Sequence, residues 1–343
     1  MRNKKFAFHA VFAGAILVIG MAGTATTFSV VAQGGPSKVP QLNISPEEQS
    51  LAKAIMSAPD PAAKLKVSAT LINKYPKTLI RPRVAQALAD QIAEVNDASQ
   101  KIILAQEYQK TFSEESEQNL IIPVLVDGYA AAGRTDDAFS TGAEALARQP
   151  DSLRILVRLT LAGTDEAKKQ NTKFLANSLK YGAEAIALLE ADKRPADMND
   201  AGWAYYKSLL PNLYQSMGLL NVVNGNHVEA KAKFMKAAEL RPSDPFNYLM
   251  LAGILNDDYK IEAKRVLEMP EGQPKQDALQ KALAMLDNVI DAYAHMVAVA
   301  EGNAQFQQIR EQYLADLESY YKYRHHSTDG LQQLINKYKL TAK

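Results

Sequence analysis

Across residues 45–343 the apolar positions recur three and four apart, and polar or proline-containing breaks divide them into stretches. That spacing places the apolar side chains on one face of a helix, and runs of alternating β-branched residues are nearly absent. The first helix starts at Ser45-Pro46-Glu47-Glu48, with a capping serine, proline in the first turn and acids behind it. Leu51, Ile55 and Met56 follow on its inner face. Asp60-Pro61 opens the next, with Leu65, Ala69 and Ile72 inward, and Tyr75-Pro76 closes it. Further helices are predicted over 81–95, 98–112, 152–161 and 171–189, where Ala176 and Ala183 mark a close crossing. Residues 191–199 read as a loop. A helix from Asp200 passes Trp203, Tyr205 and Tyr206 until Pro211 breaks it. Two long helices, 276–300 and 304–323, carry Leu279, Leu283, Leu286, Ile290 and Tyr293, then Phe306, Ile309, Tyr313, Leu317 and Tyr320 inward. A short helix over 331–338 closes the chain, and 276–343 is expected to cap the array.

One stretch is patterned more closely. In residues 211–244, Gly218 precedes a turn at Asn224-Gly225-Asn226, and Ala230, Phe234, Ala237 and Pro242 follow. Small residues at Gly218 and Ala230 let two helix axes approach, and Phe234 fills the next hole on the same face. Gly225 takes the positive φ of the reversal, and Pro242 stops the second helix. In residues 119–152, Gly133, Ala138, Ala145 and Pro150 repeat the offsets of Gly225, Ala230, Ala237 and Pro242. There Gly142 stands at the Phe234 position and Val126 at the Gly218 position, which predicts weaker packing and a wider crossing. A partial third repeat, 245–269, is expected to turn at Asn256-Asp257-Asp258-Tyr259, with Ala263 as its small residue.

These residues resemble the tetratricopeptide repeat. The resemblance implies an all-α, right-handed superhelical solenoid of antiparallel helix pairs, irregular here and with longer C-terminal helices. It implies a non-enzymatic scaffold that holds a protein or peptide partner in a concave groove lined by the first helix of each pair. Carried over, those positions are Asn212, Gln215, Leu219, Val222, Phe246, Leu249 and Asn256, with Leu120 and Asp127 in the earlier repeat. They are mostly apolar or amide-bearing, which suits an apolar helix or an extended peptide.

Composition narrows the reading further. The chain has 343 residues, 47% of them hydrophobic, and no cysteine, which excludes disulfides, thiolate metal sites and cysteine nucleophiles. Its formal charge is +1, and removing Arg2, Lys4 and Lys5 turns that to −2. No basic stripe supports nucleic-acid binding. Residues 1–5 are basic, 6–23 are almost wholly apolar, and Val30-Val31-Ala32 precedes a cleavage position before Gln33. That is the order of a secretory signal. No charge falls between Phe6 and Ser37, so a retained anchor, which needs about 20 apolar residues, stands as the alternative. Either way residues 45–343 are expected outside the cytoplasm of a bacterial cell, in periplasm, medium or membrane-anchored, on a flexible linker over 33–44.

Candidate chemistry is sparse. His325-His326 are adjacent and chelate one ion poorly from a helix. His227 falls in a turn and His295 on an apolar helix. Asp136-Asp137 and Asp257-Asp258 read as turn acids that cap helices. Phosphate loops, a nucleophile elbow and zinc-protease spacing are absent from the sequence. No cofactor or metal is expected. Trp203, Tyr205 and Tyr206 form one aromatic cluster and Tyr320, Tyr321 and Tyr323 another, each serving as either core or binding anchors. Two other functions remain open: a membrane-tethered, self-assembling subunit, and an enzyme or small-ligand binder between Trp203 and the C-terminal helices.

Overall fold

A computed structural model of the chain describes residues 44–195 and 198–339. The N-terminal address and most of the linker lie outside the described residues. Among the described residues there are fifteen α-helices, one short 3₁₀ turn and no strand. Consecutive helices joined by short connections pack as antiparallel pairs. The sequence reads 45–343 as one array; the helices instead gather into two compact units, one ending at Pro150 and the other beginning at Asp151.

The first unit holds α1 (Pro46–Ser57), α2 (Pro61–Lys74), α3 (Arg81–Ala93), α4 (Ala98–Thr111), α5 (Glu115–Ala131) and α6 (Thr135–Arg148). Its starts are encoded locally. Ser45 and Glu48 form a reciprocal capping box, and the carboxylates of Asp60 and Asp97 accept the backbone N–H groups of Ala63 and Gln100. Ile55 faces the core, but Met56 is 80% exposed, because neighbours on a helix point about 100° apart and only one can face inward. Across the unit, the buried Tyr108 hydroxyl donates to the Ala85 carbonyl at 3.1 Å, and its ring lies 4.7 Å from that of Phe112. Arg81 forks onto Glu117, with Nε 2.5 Å from Oε1 and Nη2 2.9 Å from Oε2, both side chains being buried. Its remaining nitrogen donates to the Pro76 carbonyl. Thus α3 is tied to α5. Val126 and Gly142 are both buried.

The second unit holds α7 (Leu153–Lys168), α8 (Leu175–Glu190), α9 (Asp200–Ser208), α10 (Leu210–Val223), α11 (His227–Leu240), α12 (Pro245–Glu268) and α13 (Gln273–Val299). The 3₁₀ turn Ala304–Phe306, α14 (Gln307–His325) and α15 (Leu331–Lys337) complete it. The α10–α11 pair has the packing its residues predict. A methyl group on Gly218 would lie 2.7 Å from Phe234 Cζ, so the glycine makes the space the ring occupies. Phe234, Ala230 and Ala237 are fully buried, and Gly225 takes a φ of 73° at the turn. Pro211 sits in the first turn of α10, and the break falls just before it at Leu209.

Three expectations fail in this unit. Ala176 and Ala183 face outward; the small inward residues of α8 are Ser178, Gly182 and Ala185. A Cβ on Gly182 would strike Met217 and Thr160, so Gly182 is the residue that sets that crossing. Leu279 is 42% exposed, while Ala278 and Ala282 beside it turn inward against Val266. Most consequentially, residues 256–259 make no turn: α12 runs unbroken for 24 residues. No glycine or proline interrupts residues 254–269. Nor do these side chains cap a turn, because Asn256 and Asp258 are held by neighbouring helices. The long partner α13 is apolar because its buried side reads Leu286, Val289, Ile290, Tyr293, Met296 and Val297.

A tyrosine cluster in the second unit

α12 and α14 each pack along α13, and they meet one another chiefly through side chains. Where they meet, over α13, lies a cluster of tyrosines around Asn256. Gly253, Asn256, Asp257 and Lys260 on α12 are spaced three and four apart, so they share a face. Tyr313, Asp316, Leu317 and Tyr320 on α14 have the same spacing. The two faces are joined at Asn256. Its amide nitrogen donates to the Tyr293 hydroxyl at 2.8 Å, and its amide oxygen accepts from the Tyr320 hydroxyl at 2.9 Å. A buried amide satisfied on both ends fixes the rings around it. Tyr293 lies 4.7 Å from Tyr313 and 5.9 Å from Tyr320, and Tyr259 meets Tyr320 edge-on at 6.1 Å.

Two carboxyls border these rings. Burial raises Asp257 above the ordinary carboxylate range, and Lys260 pulls it part of the way back. The same two influences act in the same sense on Asp316, whose residue surface is exposed at the rim. Neither has a hydrogen-bond or ion-pair partner among the described residues. Both act electrostatically on the half-buried Tyr313 and Tyr320, whose hydroxyls are raised mainly by burial. The nearest atom to a Cβ built on Gly253 is the Tyr313 hydroxyl at 3.9 Å, an ordinary van der Waals contact, so Tyr313 closes against α12 there.

The neighbouring Asp258 faces the opposite way. Its carboxylate lies 2.9 Å from His227 Nδ1 and accepts from Lys231 Nζ at 2.8 Å. Burial opposes its charge, but these bonds outweigh burial and hold it below its ordinary value. It is a clip between α11 and α12. His295 is stacked between Tyr248 and Tyr338, with ring centres 3.9 and 4.2 Å away, and burial lowers its pKa. His325 and His326 end α14, where His326 takes a left-handed φ of 62°. Among the described residues no group of three or more metal-ligating side chains comes together. At the N-terminal end of the first unit an open hollow of about 500 Å³ is walled by Tyr75, Pro76 and Leu79.

The groove positions read from the sequence fall in both units. Leu120 and Asp127 lie in the first unit, where Asp127 pairs with Lys101 at 3.1 Å. In the second, Leu219 and Leu249 are buried core, because the one face that α10 or α12 turns inward includes them. Asn212 accepts from Arg241 and Gln215 donates to Asp244, so both brace the turn from α11 to α12. Phe246 and Val222 are half-buried, Phe246 edge-on to Phe234. Asn256 alone reaches the tyrosine cluster, where it is buried. Tyr313 and Tyr320 were legible as inward residues of their helix. The sequence reading takes Asp257 as a turn acid and does not single out Gly253 or Asp316; their spacing places each on a face but says nothing of which helix stands opposite.

No family model matches the chain, and no curated protein matches its sequence. Among solved structures it is similar to a tetratricopeptide repeat protein of Parabacteroides merdae, at 12% identity over 85% of this chain and 98% of that one, with a TM-score of 0.40. A thermophilic tetratricopeptide repeat protein of Thermus thermophilus is similar at 15% identity over 68% of this chain and 98% of that one, with a TM-score of 0.36.

Proposed function

We propose that this chain is a non-enzymatic protein-interaction scaffold, exported across the cytoplasmic membrane, with a partner held on the second unit beside the tyrosine cluster of α12, α13 and α14. The observation that carries the reading is that cluster. Its aromatic rings are held rigidly through Asn256. Rigid rings with polar tips offer contact area at small entropic cost, as binding anchors do. The basic, apolar, small-residue order of residues 1–32 supports export. The test is crosslinking capture of the full chain in its native envelope fraction, with linked residues mapped. Partners linked at α12 and α14 support the reading. Absence of any specific partner there removes it.

A second reading, self-association, is favoured by Val228, Ile261 and Leu267, which are 75%, 67% and 79% exposed in the same unit. Sedimentation that finds only monomer at high concentration removes it.

A further inference from the structure

We infer that α11 pairs antiparallel with α11 of a second copy of this chain, through the stripe Val228, Ala232, Met235 and Glu239. The inference rests on the self-association reading above and names the contact that reading leaves open. Ala230, Phe234 and Ala237 turn inward from α11. On the side away from them Val228, Ala232, Met235 and Glu239 are exposed, at spacings of four, three and four, which is the spacing of a coiled-coil seam. Val228 is 75% and Met235 56% exposed. A two-fold axis at the middle of the stripe sets Ala232 against Met235 of the second copy, small against large, at two equivalent crossings. It also brings Glu229 to Lys236 of the second copy, again twice. In the single chain these two side chains pair only along their own helix, with Lys233 and Glu239, and such pairs are worth little. A parallel pairing would set Glu239 against Glu239 and Lys231 against Lys236, so charge selects the antiparallel arrangement. The patch continues onto α12. Asp258 is held by His227 and Lys231 at the start of α11, and Ile261, 67% exposed, follows one turn later on that side. The antiparallel copy brings its Leu240, 42% exposed, to the same end. A stripe this narrow, bordered by Glu229 and Lys236, does not suit a lipid surface, which takes a broad apolar face. A helix of 14 residues falls short of the roughly 800 Å² per partner of a standard interface, so the dimer is weak and reversible.

The experiment is sedimentation equilibrium of the full chain and its variants over a concentration series. The parent is expected to dimerise reversibly. Met235→Lys, which places two lysines in the seam, is expected to raise the dimer dissociation constant at least about tenfold. Glu229→Lys turns both cross-copy pairs repulsive and is expected to raise it about threefold or more. Glu229→Lys combined with Lys236→Glu should restore the parent value to within about twofold, because the pairs re-form with their signs exchanged. The apolar N-terminal segment is common to all these proteins, so the differences among them report on α11. None of the substituted side chains is buried, so the variants keep the fold, which unchanged circular dichroism melts verify. Unaltered affinity of Met235→Lys, or failure of the double variant to recover, overturns the inference. Crosslinking reads the orientation. The chain has no cysteine, so Val228→Cys and Glu239→Cys each introduce a single thiol. A short bismaleimide is expected to join these two variants when mixed and to join neither to itself; a linked pair of Val228→Cys chains means parallel pairing and overturns the inference. A parent that stays monomeric at every concentration removes self-association and the α11 pairing together. A dimer that Met235→Lys leaves intact removes the pairing alone, and self-association then runs through another face.

Discussion

Gly218 and Phe234 show how one missing side chain organises a helix pair. The ring occupies the volume that any Cβ at 218 would need, and the backbone cannot yield without parting α10 from α11. Gly218→Ala is expected to cost about 1–3 kcal/mol by overpacking, measured by denaturant unfolding. The first unit accommodates the same offset with Val126 and Gly142, so Gly218→Val combined with Phe234→Gly should be less damaging than the two changes added. A coupling of at least about 0.5 kcal/mol is expected from the double-mutant cycle, and strict additivity would show that the two residues do not compete for one space. Asn256 acts differently, through bonds and not volume. Asn256→Ala leaves the buried Tyr293 hydroxyl without its donor, at about 1–3 kcal/mol, and it should also loosen Tyr320. Faster flipping of the Tyr320 ring in NMR line shapes would report that loss, and unchanged flipping would contradict the bracing role.

Among elements, the firmest tie is between α3 and α5. Arg81 and Glu117 are buried and forked together, so removing one strands the other away from water. Glu117→Ala is expected to destabilise the chain by about 3–5 kcal/mol, whereas an exposed pair such as Arg134 with Asp137 is worth at most about 1 kcal/mol. Thermal melts of Glu117→Ala and Asp137→Ala side by side test that ranking. The unbroken α12 depends on its acids facing different neighbours. Asp257 is raised by burial, so its charge costs stability at neutral pH, and the cost is relieved as pH falls through the raised value toward the ordinary one. Asp257→Asn should therefore be more stable than the parent at neutral pH, with the advantage shrinking on acidification. Asp258 is lowered overall, so its contribution holds above the ordinary aspartate range and is lost only as pH falls through its lowered value. Asp258→Asn should be the less stable variant at neutral pH. Chemical denaturation of both across a pH series reads the two signs directly.

At the scale of the molecule, the helices gather into two units at Pro150 and Asp151, and each carries one of the two helix pairs whose glycine, alanine and proline offsets recur in the sequence: α5–α6 in the first, α10–α11 in the second. The tyrosine cluster belongs to the second alone. The address over residues 1–32 predicts where the molecule is found: N-terminal sequencing of protein from the native envelope should begin at Gln33 if the segment is cleaved. A sequence beginning at the original N-terminus would establish a retained anchor, and recovery from the cytoplasm would contradict export.

The helices, their capped starts, and the close pair around Gly218, Gly225, Ala230 and Phe234 were determined by the sequence itself, because capping, turn conformation and small-residue crossings act within a few residues or one helix pair. The face that α8 buries, the length of α12 and the location of the tyrosine cluster were decided only in the tertiary structure. Ala176 and Gly182 are both small, and only the approach of Met217 and Thr160 selects the second. Residues 256–259 carry the composition of a turn, but Asn256 is engaged by the hydroxyls of Tyr293 and Tyr320, 37 and 64 residues away, and Asp258 by His227 and Lys231, so neither side chain caps a turn. Local pattern records which side of a helix is apolar; which helix comes to stand opposite depends on contacts between residues far apart in the chain.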